Sequence, residues 1–483
     1  MPSFHCITYG CQMNVNDSAW VARCLVKMGW EETSMETADF VFMNTCSVRE
    51  KPQHKVLSML GIIRDVNPKA SVAVAGCVAQ QMGEKLWEKN AHVRLVLGSD
   101  GIEHAPEAFE KIAKNPKLRL SYLKFTKEFP DRAPELDYFK NIPLLPTGNS
   151  EESTRGNDTR AFVNIMQGCN NFCAYCIVPY TRGRQKSRPL ASILHECQEW
   201  LDRGICDLTL LGQNVNAYGK DKASDAPHFV ELLYEVAQLK GLKRLHLVTL
   251  HPRDFCDATV RAYKELPVLA PRIHLPLQAG SNAVLEKMGR GYTNQDFMCL
   301  VEKLRLARPD AALSTDLIVG FPGETEEDFQ ETLRIMKEAN FISSFSFVYS
   351  DRPGTRASKM QNKVPAKTGL DRLNRLMELQ NELGEKWLDS RVGMETEVLL
   401  EAKSAKPKYS EITDSSINVE TIKTVTETTE NDTENTSWQG HDVWGNTVNL
   451  IIPNHLTCKA GDIVPAKIIT AKKHSLLGKL IQK

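Results

Sequence analysis

Gly168-Cys169-Asn170-Asn171-Phe172-Cys173-Ala174-Tyr175-Cys176 places three thiols within eight residues, in the spacing CxxxCxxC, directly after an apolar run expected to be a strand. Thiolates packed this closely can wrap one soft metal centre. A structural zinc site wants four ligands, and a 4Fe-4S cluster also usually takes four cysteines. Three cysteines therefore leave one iron open, as a chemically active cluster needs. A zinc knuckle that borrows a distant fourth ligand is the bland alternative.

The run sits near the start of a βα series. Strands are expected at Phe162–Met166, Leu208–Leu211, Leu245–Val248, Ile273–Leu275, Leu313–Val319 and Phe345–Val348. Amphipathic helices fall between them, for example at Leu190–Asp202, Phe229–Leu239 and Glu326–Lys337. Six units are short of eight, so residues 158–390 imply a partial (β/α)6 barrel or an open parallel sheet.

Residues 1–123 show the same rhythm. Strands are expected at Ser3–Tyr9, Phe40–Asn44, Ser71–Ala75 and Val93–Leu97, and helices at Asp17–Met28, Glu50–Asp65 and Gln80–Glu88, with Asp17 or Ser18 as the first cap. This implies an α/β, doubly wound parallel sheet. Residues 124–157 carry Pro130, Pro134, Pro143 and Pro146 and then a polar run, which suggests a linker or mobile loop. Residues 391–483 change character. Thr396–Glu401, Thr447–Ile452 and Ile463–Thr470 are strand-like and suggest a small β-barrel. Residues 410–437 hold seven acidic side chains against one lysine and are expected to be a disordered insertion. From Lys459 to Lys483 there are six lysines against one aspartate, a local positive patch.

A second cysteine set is spread along the N-terminal segment. Cys11 follows the first expected strand, Cys46 the second and Cys77 the third. In a parallel sheet the C-terminal strand ends share one edge, where ligands bind, so these thiols are expected to converge. The alternative is three unrelated buried thiols. Cys6, Cys24, Cys197, Cys206, Cys256, Cys299 and Cys458 lack such placement and are assigned to packing.

Composition excludes several classes. The 60 Lys and Arg cancel the 60 Asp and Glu, so no bulk field draws the chain to a polyanion, and such a partner needs local patches. No run approaches a membrane span. Met1-Pro2-Ser3-Phe4-His5-Cys6 has no basic or apolar signal-peptide character, so a cytoplasmic protein without a membrane association is expected. Thirteen cysteines, an odd number, fit a reducing compartment in which thiols serve metals or catalysis.

The CxxxCxxC spacing resembles the radical S-adenosylmethionine (SAM) superfamily. Two cysteine triads in this order, followed by a small β-barrel, resemble the methylthiotransferases of that superfamily. Tyr9-Gly10-Cys11-Gln12-Met13-Asn14, Val178-Pro179-Tyr180-Thr181-Arg182-Gly183 and Leu211-Gly212-Gln213-Asn214-Val215-Asn216 resemble its MiaB-type branch, which acts on tRNA. The resemblance implies two 4Fe-4S clusters, one on Cys169, Cys173 and Cys176 that cleaves SAM, and an auxiliary one on Cys11, Cys46 and Cys77 that presents sulfur. It also implies a radical SAM partial barrel and a C-terminal TRAM-like RNA-binding barrel. The implied reaction converts N6-isopentenyladenosine beside the anticodon to its 2-methylthio derivative. Expected partners are the tRNA anticodon loop, a flavodoxin- or ferredoxin-like electron donor and a sulfur or cluster donor, with the enzyme a monomer.

Polar groups after the remaining strands would ring one mouth of the barrel. Gln213, Asn214, Gln278, Ser281, Asp316 and Glu324 are the candidates for contact with SAM. Where radical SAM proteins often carry a GGE motif, this chain has Gly212-Gln213-Asn214, which leaves the partner of the SAM amino group open. Glu324 is open between ligand and helix cap, since Thr325-Glu326-Glu327-Asp328 resembles a capping box. His274 lies inside a strand and reads as a hydrogen-bonded core histidine, while His251, before Pro252, is open between the two roles. Arg182, Arg184, Lys186 and Arg188 follow the cluster loop with no acid among them. With Lys472 and Lys473 they are the candidates for RNA phosphate contact, against a merely solvated face. Two alternatives stay open. A related methylthiotransferase acts on threonylcarbamoyladenosine in tRNA or on a ribosomal-protein aspartate. A non-catalytic, metal-stabilised RNA-binding protein would bind no SAM.

Overall fold

The computed structural model describes residues 1–47, 52–130, 159–223, 225–404 and 435–481. Most of the expected linker (131–157) and most of the acidic insertion (410–434) lie outside the described residues. The chain divides into two compact units, Met1–Gln380 and Asn381–Lys483.

The first unit opens with β1 (Ser3–Thr8), β2 (Glu31–Glu32), β3 (Phe40–Thr45), β4 (Ser71–Gly76), β5 (Val93–Leu97) and β6 (Leu120–Tyr122) in the order β2-β1-β3-β4-β5-β6. All pairs are parallel. Alternate residues face opposite sides of the sheet. Phe42, Ala73 and Leu95 join a core with Trp20, Leu25 and Phe109. Val41, Met43, Val72 and Val74 join another with Val56, Leu60 and Ile63. Both faces are therefore covered, which is why these strands are continuous apolar runs. From β1 the chain goes first to β2 on one side and then to β3 on the other. The switch point of the sheet thus lies between β1 and β3, where a crevice opens beyond the strand ends.

The first helix, Gln12–Lys27, begins earlier than expected, with Cys11 at its N-cap. Asp17 and Ser18 are buried inside it and cap nothing; Asn14 Oδ1 lies 3.4 Å from the Cys11 amide instead. The expected helix Gln80–Glu88 is two short helices, Cys77–Met82 and Lys85–Lys89, broken near Gly83. The start of the expected linker is anchored: Thr126 donates from its amide and its hydroxyl to Asp100 Oδ2 at 2.7 and 2.9 Å.

The next strands are β7 (Arg160–Asn164), β8 (Met166–Gln167), β9 (Lys186–Ser187), β10 (Asp207–Leu211), β11 (Arg244–Leu247), β12 (Arg272–His274), β13 (Ala312–Val319) and β14 (Ser343–Val348). Six of them form two parallel three-stranded sheets, β11-β10-β7 and β12-β13-β14, with a parallel bridge from Leu245 to Leu269 ahead of β12. The expected strand Phe162–Met166 ends at Asn164. Met166 and Gln167 instead pair antiparallel with Ser187 and Lys186, a clamp at the base of the cysteine loop.

In the second unit β15 (Glu395–Lys403), β16 (Asn435–His441), β17 (Thr447–Pro453), β18 (Ile463–Lys472) and β19 (Ser475–Leu480) form a closed barrel in the order β15-β16-β17-β19-β18. Val398, Leu400, Trp438, Leu450, Ile468 and Leu476 fill it. Asn435–Ser437, expected within the insertion, begin β16. Among the described residues no helix is long and apolar enough to cross a membrane.

Candidate active site: two cysteine triads

Cys169, Cys173 and Cys176 lie on the loop between β8 and β9. Backbone bonds shape it: the Cys169 amide donates to Gly183 O at 3.2 Å, Ala174 to Met288 O at 2.8 Å and Cys176 to Cys173 O at 3.0 Å. The Gly168 amide donates to Gln213 Oε1 at 2.6 Å. A small cavity lies beside the thiols, lined by Phe172, Cys173, Cys176, Tyr180, Thr355 and Arg356. Burial pushes the Cys169 thiol up, and burial together with the Cys173 charge pushes Cys176 up to about 12. These thiols ionise readily only when a metal centre takes the proton's place.

Cys11, Cys46 and Cys77 follow β1, β3 and β4, and the structure brings them together at the switch point. The approach is close. A Cβ on Gly10 would stand 2.6 Å from Cys46 Cβ, and a Cβ on Gly76, whose φ is +88°, would strike the Thr45 carbonyl. Only glycine fits there. Asn14 and Asn44 brace the strand ends: Asn14 Nδ2 donates to Asn44 Oδ1 at 2.8 Å, and Asn44 Nδ2 returns to Asn14 O at 3.0 Å. The thiols form one network. Hydrogen bonds with Cys46, ahead of the charge of Arg182, lower Cys77 and bring Cys11 down to about 6, while the same bonds raise Cys46. Cys11 is exposed, whereas Cys46 and Cys77 are buried.

The donor chemistry of both triads fits an iron–sulfur cluster that lacks one protein ligand. Among the described residues no group of three or more His, Cys, Asp or Glu stands as ligands to a single metal ion would. A cubane cluster takes its thiolates at separate irons. The electrostatic observation is Arg182. It is only 3% exposed, the carboxylate of Asp17 is 4.0 Å away, and its guanidinium bonds the Cys77 thiol and acts on that of Cys11.

The polar candidates divide. Gln213 bonds to the Gly168 amide and reaches Met13 Sδ beside Cys11, so it braces both cysteine loops. Asn214 is buried; its Nδ2 donates to Asp254 Oδ2 at 2.7 Å while its Oδ1 has no hydrogen-bond partner. Gln278 is buried at φ +76°, a costly backbone for a non-glycine residue and one concentrated at functional sites. Asp316 is partly exposed and 3.3 Å from His274 Nε2, and His274 Nδ1 is 3.1 Å from Ser314 Oγ, so His274 is hydrogen-bonded as expected but only half-buried. Ser281 and Glu324 are already engaged within the fold. The Ser281 hydroxyl is bonded to Asp328, and the Glu324 carboxylate takes the Gly320 amide at 2.6 Å and Arg372 Nη1 at 2.7 Å. The helix cap next to Glu324 is Thr325, paired with Asp328.

The basic run is corrected in three of its four members. Arg182, Lys186 and Arg188 are buried, the last two against Asp100 and Glu196, and have no free face for phosphate. Arg184 is exposed and lies 4.2 Å from the Phe172 ring centroid. Lys472 and Lys473 are exposed at the turn between β18 and β19.

Arg290 escaped the sequence reading, and His251 was left open by it. Arg290, buried, donates from Nη2 to Pro276 O at 2.9 Å and from Nε to Tyr292 Oη at 3.0 Å, and its Nη1 lies 3.5 Å from Cys173 Sγ. Its one signal was a lone arginine between Gly289 and Gly291 at a helix end. His251 is buried with Nε2 unpartnered; burial and then the Arg290 charge keep its ring neutral.

Comparison with known proteins adds three findings. Residues 163–336 match the radical SAM superfamily, and residues 3–98 match the uncharacterized protein family UPF0004. A tRNA-2-methylthio-N(6)-dimethylallyladenosine synthase of Lawsonia intracellularis is 46% identical over 482 residues, 98% of this chain and 98% of the relative. One of the same name from Nitratidesulfovibrio vulgaris is 47% identical over 478 residues, 98% of this chain and 97% of the relative. Among solved structures, the radical S-adenosylmethionine methyltransferase TsrM of Kitasatospora setae, with cobalamin and a 4Fe-4S cluster bound, shares the fold. Its TM-score is 0.54 at 18% identity, over 74% of this chain and 77% of that one.

Proposed function

The chain belongs to the family of the tRNA-2-methylthio-N(6)-dimethylallyladenosine synthases, within the radical SAM superfamily, and we propose that it carries out the reaction their name describes. It would insert a methylthio group at carbon 2 of an N6-isopentenyladenosine beside a tRNA anticodon. The observation that carries this reading is the presence in one compact unit of two cysteine triads, with Arg182, six residues after Cys176, reaching the thiols of the other triad.

Cys169, Cys173 and Cys176 would hold one 4Fe-4S cluster, and Cys11, Cys46 and Cys77 a second. When bound, these supply reductive cleavage of SAM to a carbon radical at the first triad and a sulfur for transfer at the second. The protein orients the parts. Asn214 Oδ1 and His251 Nε2 are buried polar atoms with no partner, and an unmet buried acceptor costs about 1–3 kcal/mol. With Gln213, Gln278 and Asp316 they are the groups that would receive SAM. Ser281 and Glu324 support the loops around that site instead, through Asp328 and Arg372.

Arg184 stacked on Phe172, with exposed Tyr180 nearby in sequence, would meet the RNA, which offers splayed bases in an anticodon loop. The five-stranded barrel, with Lys472 and Lys473 exposed on one turn, would serve as a TRAM-like RNA-binding domain. A flavodoxin- or ferredoxin-like electron donor and a sulfur or cluster donor complete the system, acting on a cytoplasmic monomer. The test is nucleoside mass spectrometry of tRNA from cells with and without the gene. Isopentenyladenosine should accumulate at the expense of its methylthio derivative when the gene is absent. An unchanged isopentenyladenosine pool, with loss of a modified threonylcarbamoyladenosine, would transfer the chain to the sister activity.

A further inference from the structure

We infer that Arg182 is the counter-charge of the auxiliary triad, a positioning residue supplied by the radical SAM segment that retains the second cluster and sets its reduction potential. The inference rests on the proposed second cluster at Cys11, Cys46 and Cys77.

A guanidinium cannot shed its proton in a protein. Removing such a charge from water costs several kcal/mol unless an opposite charge and hydrogen bonds compensate it. The other buried cations of the same segment are compensated in the ordinary way, Lys186 by Asp100 and Arg188 by Glu196, each in direct contact. Arg182 differs. Asp17 is 4.0 Å from Nη2, and neither Nη atom makes a hydrogen bond to an oxygen or nitrogen. The side chain it bonds is the thiol of Cys77, and the charges that act on it most strongly are those of Cys77 and Cys11, ahead of Asp17 and Cys46. Neutral thiols would compensate a full charge poorly. Three thiolates on an iron–sulfur core carry the negative charge that this buried cation lacks. The backbone that carries the cation is held in place. The Arg182 amide donates to Val178 O at 2.7 Å, and the adjacent Thr181 carbonyl accepts from Ser99 Oγ at 2.9 Å. Cluster potential follows net charge and hydrogen bonds to sulfur, so a fixed cation here favours the reduced, more negative form. The N-terminal sheet thus carries the ligands, and the neighbouring segment carries their charge balance.

The test uses the full chain with Cys169, Cys173 and Cys176 all changed to alanine, so that iron reports the auxiliary triad alone after anaerobic reconstitution. About four irons per chain in this background support the second cluster; none would overturn that reading whatever Arg182 does. Arg182→Gln should then lower the potential, read by redox titration with electron paramagnetic resonance, by at least about 59 mV, a tenfold shift in a one-electron equilibrium, or lose the iron. Arg182→Lys, which keeps the charge, should stay nearer the parent. Asp17→Asn, which removes the competing carboxylate, should raise the potential. Unchanged iron and potential in Arg182→Gln would overturn the inference. If both Arg182 variants lose iron, Asp17→Asn decides: an upward shift supports the inference and no shift overturns it.

Discussion

Cys169, Cys173 and Cys176 come from a single loop, whereas Cys11, Cys46 and Cys77 come from the ends of three strands. The first triad needs only its loop to be closed, by the β8–β9 clamp and by backbone bonds to Gly183 and Met288. The second exists only while β1, β3 and β4 keep register, because a one-residue slip would turn a strand end away. Their arginines differ in parallel. Arg290 is bonded to Tyr292 and the Pro276 carbonyl before it reaches Cys173, whereas Arg182 faces its thiols with only a distant carboxylate. A local site tolerates disturbance elsewhere; a distributed one transmits the state of the sheet to its ligands.

The strongest test separates the triads by chemistry. Cys173→Ala should abolish SAM cleavage, read as 5′-deoxyadenosine release, and with it methylthio product. Cys46→Ala should retain measurable cleavage and form no product. Equal loss of cleavage in both would break the division. Next, Lys186→Met removes the cation of a buried pair at the base of the local loop. Asp100 keeps bonds from Thr126 and Gln167, so the loss in urea denaturation should be about 3 kcal/mol, the lower end for a broken buried pair. A negligible loss would show that the loop is more autonomous than its clamp implies. Gly76→Ala forces a φ of +88° on a residue with a Cβ and should cost about 1–3 kcal/mol. It should also roughly halve the iron per chain, from about eight to about four, by emptying only the distributed triad. Equal loss from both triads would contradict their independence. The smallest effect is expected for Thr325→Ala, which deletes a helix cap and should cost about 1 kcal/mol with iron content unchanged.

The local triad was plain in the sequence because its ligands are neighbours in the chain. The distributed one was visible through the rule that parallel strand ends share an edge, together with β1, β3 and β4 as apolar runs. What escaped depended on partners far away in sequence. Arg182, Lys186 and Arg188 looked like a solvated or phosphate-binding face, yet Asp17, Asp100 and Glu196 sit on other elements and bury them. Ser281 and Glu324 were likewise taken by Asp328 and Arg372. Two of the missed strands lacked apolar periodicity: β2 is Glu31-Glu32, and β16 begins Asn435-Thr436-Ser437.

Five residues, Ile177 to Thr181, separate Cys176 of one triad from Arg182 of the other. They form a short helical turn whose end is tied through Thr181 to Ser99 of the N-terminal sheet. Such a segment acts as a ruler. Under the proposed function, lengthening or shortening it by one residue would change the gap between the two proposed clusters while leaving each set of thiols complete, so the spacing of this turn would itself constrain catalysis.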